Sequence, residues 1–175
     1  HIVRTLTNAL EMDLVSHAYL FAGPRGSGKT TIARLMAKAV NCEEKKKAEP
    51  CNKCSSCLAI NEGKAMDIIE IDAASNRGID EVRELREGAR FVPGQLKYKV
   101  YIIDEAHQLT KEAANALLKL LEEPPEHAIL ILATTEIYKM IPTIISHCQR
   151  FDFRKLTLAE IIGRLEKLMK YEGAD

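Results

Sequence analysis

The stretch "GPRGSGKT", residues 23–30, satisfies every constrained position of the pattern G-x-x-x-x-G-K-[ST]. Its glycines let backbone N–H groups curl around phosphate oxygens, and a helix starting near Lys29 points the positive end of its dipole at the same place. Lys29 is suited to reach β- and γ-phosphates, and the Thr30 hydroxyl to fill one coordination position on Mg²⁺. The flanks fit as well. The apolar run "AYLFAG" precedes the loop as a strand and "KTTIARLMAKAV" follows it with helical periodicity. A plain glycine turn between strand and helix does not require the Lys-Thr pair.

A phosphate cradle alone hydrolyses nothing, so a second acidic strand end is needed. "VYIIDEAH", residues 100–107, supplies it: four apolar residues end in Asp104-Glu105, where the carboxyl end of a parallel strand meets the site. Asp104 is expected to hold Mg²⁺, directly or through water, and Glu105 to polarise the attacking water. Neighbouring side chains at a strand end point in different directions, which allows the pair two tasks. The expected ATP-binding set is Gly23, Pro24, Arg25, Gly26, Ser27, Gly28, Lys29, Thr30 and Thr31. Thr134 and Thr135 close the next apolar run, "AILILATT", where a hydroxyl can sense the γ-phosphate or the lytic water. Threonines are also common at strand ends without a task.

Four of the five cysteines, Cys42, Cys51, Cys54 and Cys57, fall within sixteen residues. With no secretory signal in view, this reads as a metal cluster rather than disulfides. Four thiolates suit a closed, structural Zn²⁺ site, which would order a loop too polar to hold itself. An iron–sulfur cluster shares the C-x-x-C-x-x-C run, but the nearby Cys-Pro that continues it in ferredoxins is absent here. Cys148 stands apart and reads as a small core residue.

The 175 residues carry 25 basic and 25 acidic side chains, so bulk charge predicts no polyanion binding, and any nucleic-acid contact must be local. No apolar run spans a bilayer, which excludes a membrane protein of helical type. Uniformly apolar strands alternating with helices predict an α/β fold, a parallel sheet flanked by helices. The polar, cysteine-bearing segment of about residues 41–62 reads as an inserted module. The main domain is expected over residues 1–154. Residues 155–175, with Thr157 as N-cap and Ile161, Ile162, Leu165 and Leu168 on one face, are expected to begin a helical lid domain. The chain starts at His1 and stops just after this helix, which reads as part of a longer protein.

Taken together, "HAYLFAGPRGSGKTT", the four-cysteine insert, "IDAASNRGIDEVREL", "KVYIIDEAHQLT", "NALLKLLEEPPEH" and "LATTE" resemble, in this order, the bacterial tau/gamma family of DNA polymerase III clamp-loader subunits. These are P-loop NTPases of the AAA+ class. The phosphate loop is shared by many unrelated enzymes, whereas the insert and "LLKLLEEPP" are far more specific. The resemblance implies an ATPase that works in the bacterial cytoplasm, in a ring-like assembly with delta and delta-prime subunits and other copies of itself. Such an assembly loads the sliding clamp onto primed DNA in replication. It also implies that Thr135, rather than Thr134, is the sensor, with Glu105 and Lys29 in catalysis, and that Arg77 and Arg83 contact the DNA backbone.

Two departures stand out. Where the family reads Ser-Arg-Cys this chain has Ser146-His147-Cys148, so the position of the arginine finger offered to a neighbouring subunit holds an imidazole without a permanent charge. Arg150 lies nearby, but a guanidinium offset along the chain does not replace one. The family's stretch before "HIV", which helps hold adenine, and a later sensor arginine are not in this sequence. Two rival readings are a non-hydrolysing, delta-prime-like stator and another AAA+ DNA machine. A stator need not keep Lys29, Thr30, Asp104 and Glu105 together, and other DNA machines are not expected to carry the cysteine insert.

Overall fold

In the computed structural model, which describes residues 2–172, five strands form one sheet in the order β2-β3-β4-β1-β5, with every pairing parallel. The strands are β1 (Ala18–Ala22), β2 (Ile68–Asp72), β3 (Lys99–Asp104), β4 (Ala128–Thr134) and β5 (Gln149–Asp152). The helices are α1 (Ile2–Glu11), α2 (Lys29–Asn41), α3 (Ser55–Asn61), α4 (Ile79–Ala89), α5 (Lys111–Glu122), α6 (Pro142–His147) and α7 (Leu158–Glu172). The last three residues of the expected helical start, 173–175, lie outside the described residues.

The absence of polar alternation in β1, β3 and β4 has a direct cause: both faces of these strands are covered. Successive side chains point to opposite faces. Leu20, Tyr101, Ile103, Leu130 and Leu132 therefore pack with α4 and α5, through Val82, Leu85, Leu117 and Leu121. Tyr19, Phe21, Val100, Ile102, Ile129 and Ile131 pack on the other side with Leu6 and Leu10 of α1 and Met36 and Val40 of α2. Eight of these strand residues, Tyr19, Leu20, Phe21, Val100, Ile102, Leu130, Ile131 and Leu132, are wholly buried.

Element ends depart from the sequence reading in small ways. The run read as "AILILATT" leaves the ladder at Thr134, and the helix read through Phe91 stops at Ala89, leaving Phe91 and Val92 exposed. β5 was not anticipated. Only Phe151 of its four residues is buried, so no apolar run marks it. It is recruited instead by register, with Phe151 opposite Phe21 and the two rings edge-on at 5.9 Å. The loop before β3 is pinned by Asp67, whose carboxylate accepts the N–H groups of Gly94, Gln95 and Leu96 at 2.9–3.1 Å. Burial pushes that carboxyl up, but the three donors and Lys99 more than offset it and hold it below its ordinary range.

β4 lies between β1 and β3, so the phosphate-loop strand and the acidic strand are separated by one strand. Their carboxyl ends nevertheless open on one side. α5 starts there under a sequence-local device: the Thr110 hydroxyl caps it by accepting the Ala113 N–H at 3.2 Å.

Candidate active site

β1 ends at Ala22 because the next residue must turn where no side chain fits. Gly23 has φ +155°, and a Cβ built on it would stand 2.4 Å from the Phe153 carbonyl oxygen. Gly26 (φ +77°) and Gly28 (φ +90°) also take left-handed conformations, and a Cβ on either would meet open space. The loop therefore has a packed root at Gly23 and an open mouth at Gly26 and Gly28. Across that mouth Lys29 sends Nζ to the carbonyl oxygens of Gly23 and Pro24, 2.8 and 3.0 Å away. Ser27 closes the loop from within, its hydroxyl donating to the Pro24 oxygen at 2.8 Å.

The acidic strand end meets the loop directly. Thr30 donates its hydroxyl to Asp104 Oδ2 at 2.7 Å, and Asp104 Oδ1 accepts the Glu105 N–H at 2.9 Å. Glu105 itself has φ 48° and ψ 43°, which is uncommon for a residue with a side chain. Its Oε2 accepts the Thr135 hydroxyl at 2.8 Å. Thr134, by contrast, is wholly buried and its hydroxyl lies 2.9 Å from His107 Nδ1. The two adjacent threonines thus face different neighbours, and only Thr135 touches Glu105.

Arg25, Gly26, Gly28, Lys29, Thr30, Thr31, Asp72, Asp104 and Glu105 line a single cleft of about 560 Å³. Lys29 is 6% exposed. Burial pulls its ammonium below the ordinary lysine range, while Glu105 and Asp104 pull it back up. A buried cation beside two carboxylates, with backbone N–H groups of a glycine loop at a helix start, suits a polyphosphate. The hard oxygen donors of Thr30 and Asp104, already 2.7 Å apart, suit Mg²⁺.

The cysteine cluster lies at the far end of α2. The four ligand sulfurs of Cys42, Cys51, Cys54 and Cys57 lie within 4.8 Å of one another. A tetrahedron with Zn–S bonds of ~2.3 Å needs sulfurs about 3.8 Å apart, so the set fits with little movement. Backbone N–H groups turn toward sulfur, Cys51 to Cys42 at 3.2 Å, Cys54 to Cys51 at 3.3 Å and Cys57 to Cys54 at 3.4 Å. The Lys53 N–H, followed by the groups of Cys54 and Cys42, draws the Cys51 thiol down to about 6. Burial pushes the Cys57 thiol up to about 12, so a cation must deprotonate it on binding. Lys38 of α2 ties the module to the phosphate-loop helix, its Nζ donating to the side chains of Asn52 and Asn61.

The remaining sequence-predicted residues lie elsewhere. Arg77 precedes α4 and is exposed, and Arg83 on α4 is exposed and paired with Asp80 at 3.3 Å. His147 ends α6 with an exposed side chain. Arg150 is held by Asp152 of its own strand at 2.8 Å. Sequence reasoning missed His107 and Glu136, whose side chains meet at 3.2 Å beside Glu105. The quoted "DEAH" placed His107 near the acidic pair, but nothing in the pattern showed that its ring turns inward.

Comparison with known proteins is consistent with this geometry. A family model described as "DNA polymerase III, delta subunit" matches residues 1–157. The chain is 58% identical to the DNA polymerase III subunit tau of Bacillus subtilis over 98% of its own length and 31% of that protein's. It is 45% identical to the tau subunit of Escherichia coli, over 98% of this chain and 27% of that one. The chain thus spans about a third of the length of these relatives. Among solved structures, a DNA polymerase III gamma subunit-related protein of Thermotoga maritima superposes with TM-score 0.66 at 26% identity, over 89% of this chain and 46% of that one. The RuvB Holliday junction branch migration motor of the same organism superposes with TM-score 0.62 at 22% identity, over 97% and 50%, which shows a common fold.

Proposed function

This chain belongs to the DNA polymerase III subunit family described as "DNA polymerase III, delta subunit", with tau and gamma subunits as its similar relatives, and from that premise we propose that it is an ATP-hydrolysing clamp-loader motor module. The observation that carries the proposal is one hydrogen-bonded floor, running from Thr30 to Asp104 to the Glu105 backbone and from the Glu105 carboxylate to Thr135, beneath an open glycine loop with a buried Lys29.

In this reading Gly23 to Thr31 bind the triphosphate of ATP, with Lys29 released from the loop carbonyls to the phosphate charge. Thr30 and Asp104 hold Mg²⁺, which when bound neutralises charge that develops on the phosphate oxygens. Glu105 orients water and takes its proton at the carboxylate, and Thr135 reports the nucleotide state through its hydrogen bond to that carboxylate. The cysteine module holds structural Zn²⁺ and leaves no open position for chemistry.

The partners follow from the same premise: delta and delta-prime subunits, further copies of this protein, the sliding clamp, and primed DNA. Arg77 and Arg83 are the candidate backbone contacts. His147 occupies the position offered to a neighbour's ATP site, and Arg150, already engaged by Asp152, is not a ready replacement. Residues 1–154 form the ATPase domain. Residue 155 onward begins a helical lid whose Ile161, Ile162, Leu165 and Leu168 remain 41–53% exposed and await a cover. Replisome membership implies a cytoplasmic bacterial setting, and no helix among the described residues is long and apolar enough to cross a membrane.

The family description also fits a non-hydrolysing stator. Retention of Lys29, Thr30, Asp104 and Glu105 in mutual reach favours the motor. Titration of the intact protein with a fluorescent ATP analogue tests it: Lys29→Ala should weaken binding by about thirtyfold, roughly 2 kcal/mol. Unchanged affinity would overturn the assignment of the loop.

A further inference from the structure

The short turn after β3 carries a buried imidazole for which the hydrolysis reading above has no use. The His107 side chain is 3% exposed and lies between two carboxylates. Its Nε2 is 3.2 Å from Glu136 Oε2, and its Nδ1 is 2.9 Å from Thr134 Oγ1 and 3.5 Å from Glu105 Oε2. A neutral imidazole has one N–H to donate and one nitrogen that accepts, and where its two partners lie decides what it ties together. This one joins the turn that bears Glu105 to the end of β4, just before Thr135.

The donors can be assigned from the acceptors. The Glu136 carboxylate has no proton to give, so His107 Nε2–H donates to it. Thr134 Oγ1 already accepts the Glu136 N–H at 3.1 Å, and its own proton goes to His107 Nδ1. The Gln108 amide, whose nitrogen is placed 3.1 Å from the same Nε2, presents its oxygen there once turned over, an exchange of like-shaped groups. Glu136 is itself anchored. Lys139 donates to it at 2.8 Å and the Tyr138 hydroxyl donates to its other oxygen, and these two partners hold its carboxyl below the ordinary range.

Glu105 needs such support. A glutamate at φ 48° is kept there by its surroundings rather than by its own preference. Thr135 donates to its Oε2, the His107 ring 3.5 Å away holds its place by contact and not by a hydrogen bond to that oxygen, and Oε1 has no hydrogen-bond partner among the described residues. An oxygen left free in this way is the one a water can use.

We propose that His107, anchored on Glu136, is a positioning residue that locks the carboxyl end of β4 to the turn after β3 and so fixes the Glu105 carboxylate and its Thr135 donor for hydrolysis. The proposal rests on Glu105 being the base. It assigns Glu136, a partly exposed residue in the link to α6, a part in turnover without contact to the nucleotide.

The test uses the intact protein assembled with its DNA polymerase III partners, comparing wild type, Glu105→Gln, His107→Ala, His107→Gln, Glu136→Gln and the double variant His107→Ala/Glu136→Gln. His107→Ala should lower kcat about tenfold or more, with KM and ATP affinity within about twofold. His107→Gln, whose amide reaches Glu136, should recover part of that loss. Glu136→Gln should lower kcat in the same direction, and the double variant should match His107→Ala within about twofold, because both residues act through one chain of contacts. If His107→Ala misfolds by thermal melting, His107→Gln and Glu136→Gln carry the comparison. Full kcat in the His107 and Glu136 variants, while Glu105→Gln is inactive, overturns the positioning role alone, as do losses that multiply in the double variant. Full turnover by Glu105→Gln instead removes the reading on which the proposal rests.

Discussion

Gly23 shows how one residue links the fold to the site. The chain must leave β1 and begin its phosphate loop at a point where the β5 extension passes alongside: Phe153 N–H donates to the Ala22 oxygen at 2.6 Å, and its ring stands 5.2 Å from that of Phe21. A methyl group at residue 23 would meet Phe153 backbone, which that hydrogen bond holds in place. Gly23→Ala should therefore destabilise the protein by roughly 2–4 kcal/mol in denaturant unfolding, more than Gly26→Ala, whose open surroundings leave only the left-handed backbone cost of about 1–2 kcal/mol. Equal midpoints for the two variants would refute this ranking. The pattern in the sequence constrains residue 23 and leaves residue 26 open, but it gives no energetic reason to rank the two. Only the position of Phe153, 130 residues further on, separates them, and no local pattern carries that information.

At the scale of elements, the cysteine module and β5 mark the two extremes of what can be read from a sequence. The module is legible because thiolate spacing is itself the chemistry: C-x-x-C-x-x-C with one upstream cysteine predicts four sulfurs in mutual reach, and they lie within 4.8 Å of one another. The intact protein should contain about one zinc per chain and show no visible absorption. Stripping the metal with a chelator should lower the melting temperature by ~5–10 °C, and Cys57→Ser should reproduce that loss. An iron content with visible colour, or melting indifferent to chelation, would contradict the zinc assignment. β5 is the opposite case. Its residues "QRFD" offer one buried side chain, and it becomes a strand only because the edge of β1 is open to it. The apolar runs of β1, β3 and β4 were readable because both faces are buried, and the order in which they lie was not, since register and crossover are settled by packing of distant segments. His107 belongs with β5: its identity is plain in "DEAH", but its burial depends on where β4 ends.

For the molecule as a whole, the cleft lies at the carboxyl ends of the strands, and the proposed function places it at the edge of a larger assembly. Its floor is complete within the chain, from Lys29 and Thr30 to Asp104, Glu105 and Thr135. The elements that the proposed function assigns to neighbours, His147 at the end of α6 and the half-exposed apolar side of α7, face outward. In the proposed function this division suits a motor switched by assembly, with the base and the metal ligands local and the trans contact left to a second subunit. The central claim is that the floor hydrolyses ATP, and steady-state ATP turnover by the intact protein, assembled with its partner subunits, sliding clamp and primed DNA, tests it most directly. The account predicts turnover stimulated by clamp and DNA in the wild type, and a loss of about 10²-fold or more in Glu105→Gln with ATP binding preserved. Equal turnover by the two proteins would contradict it.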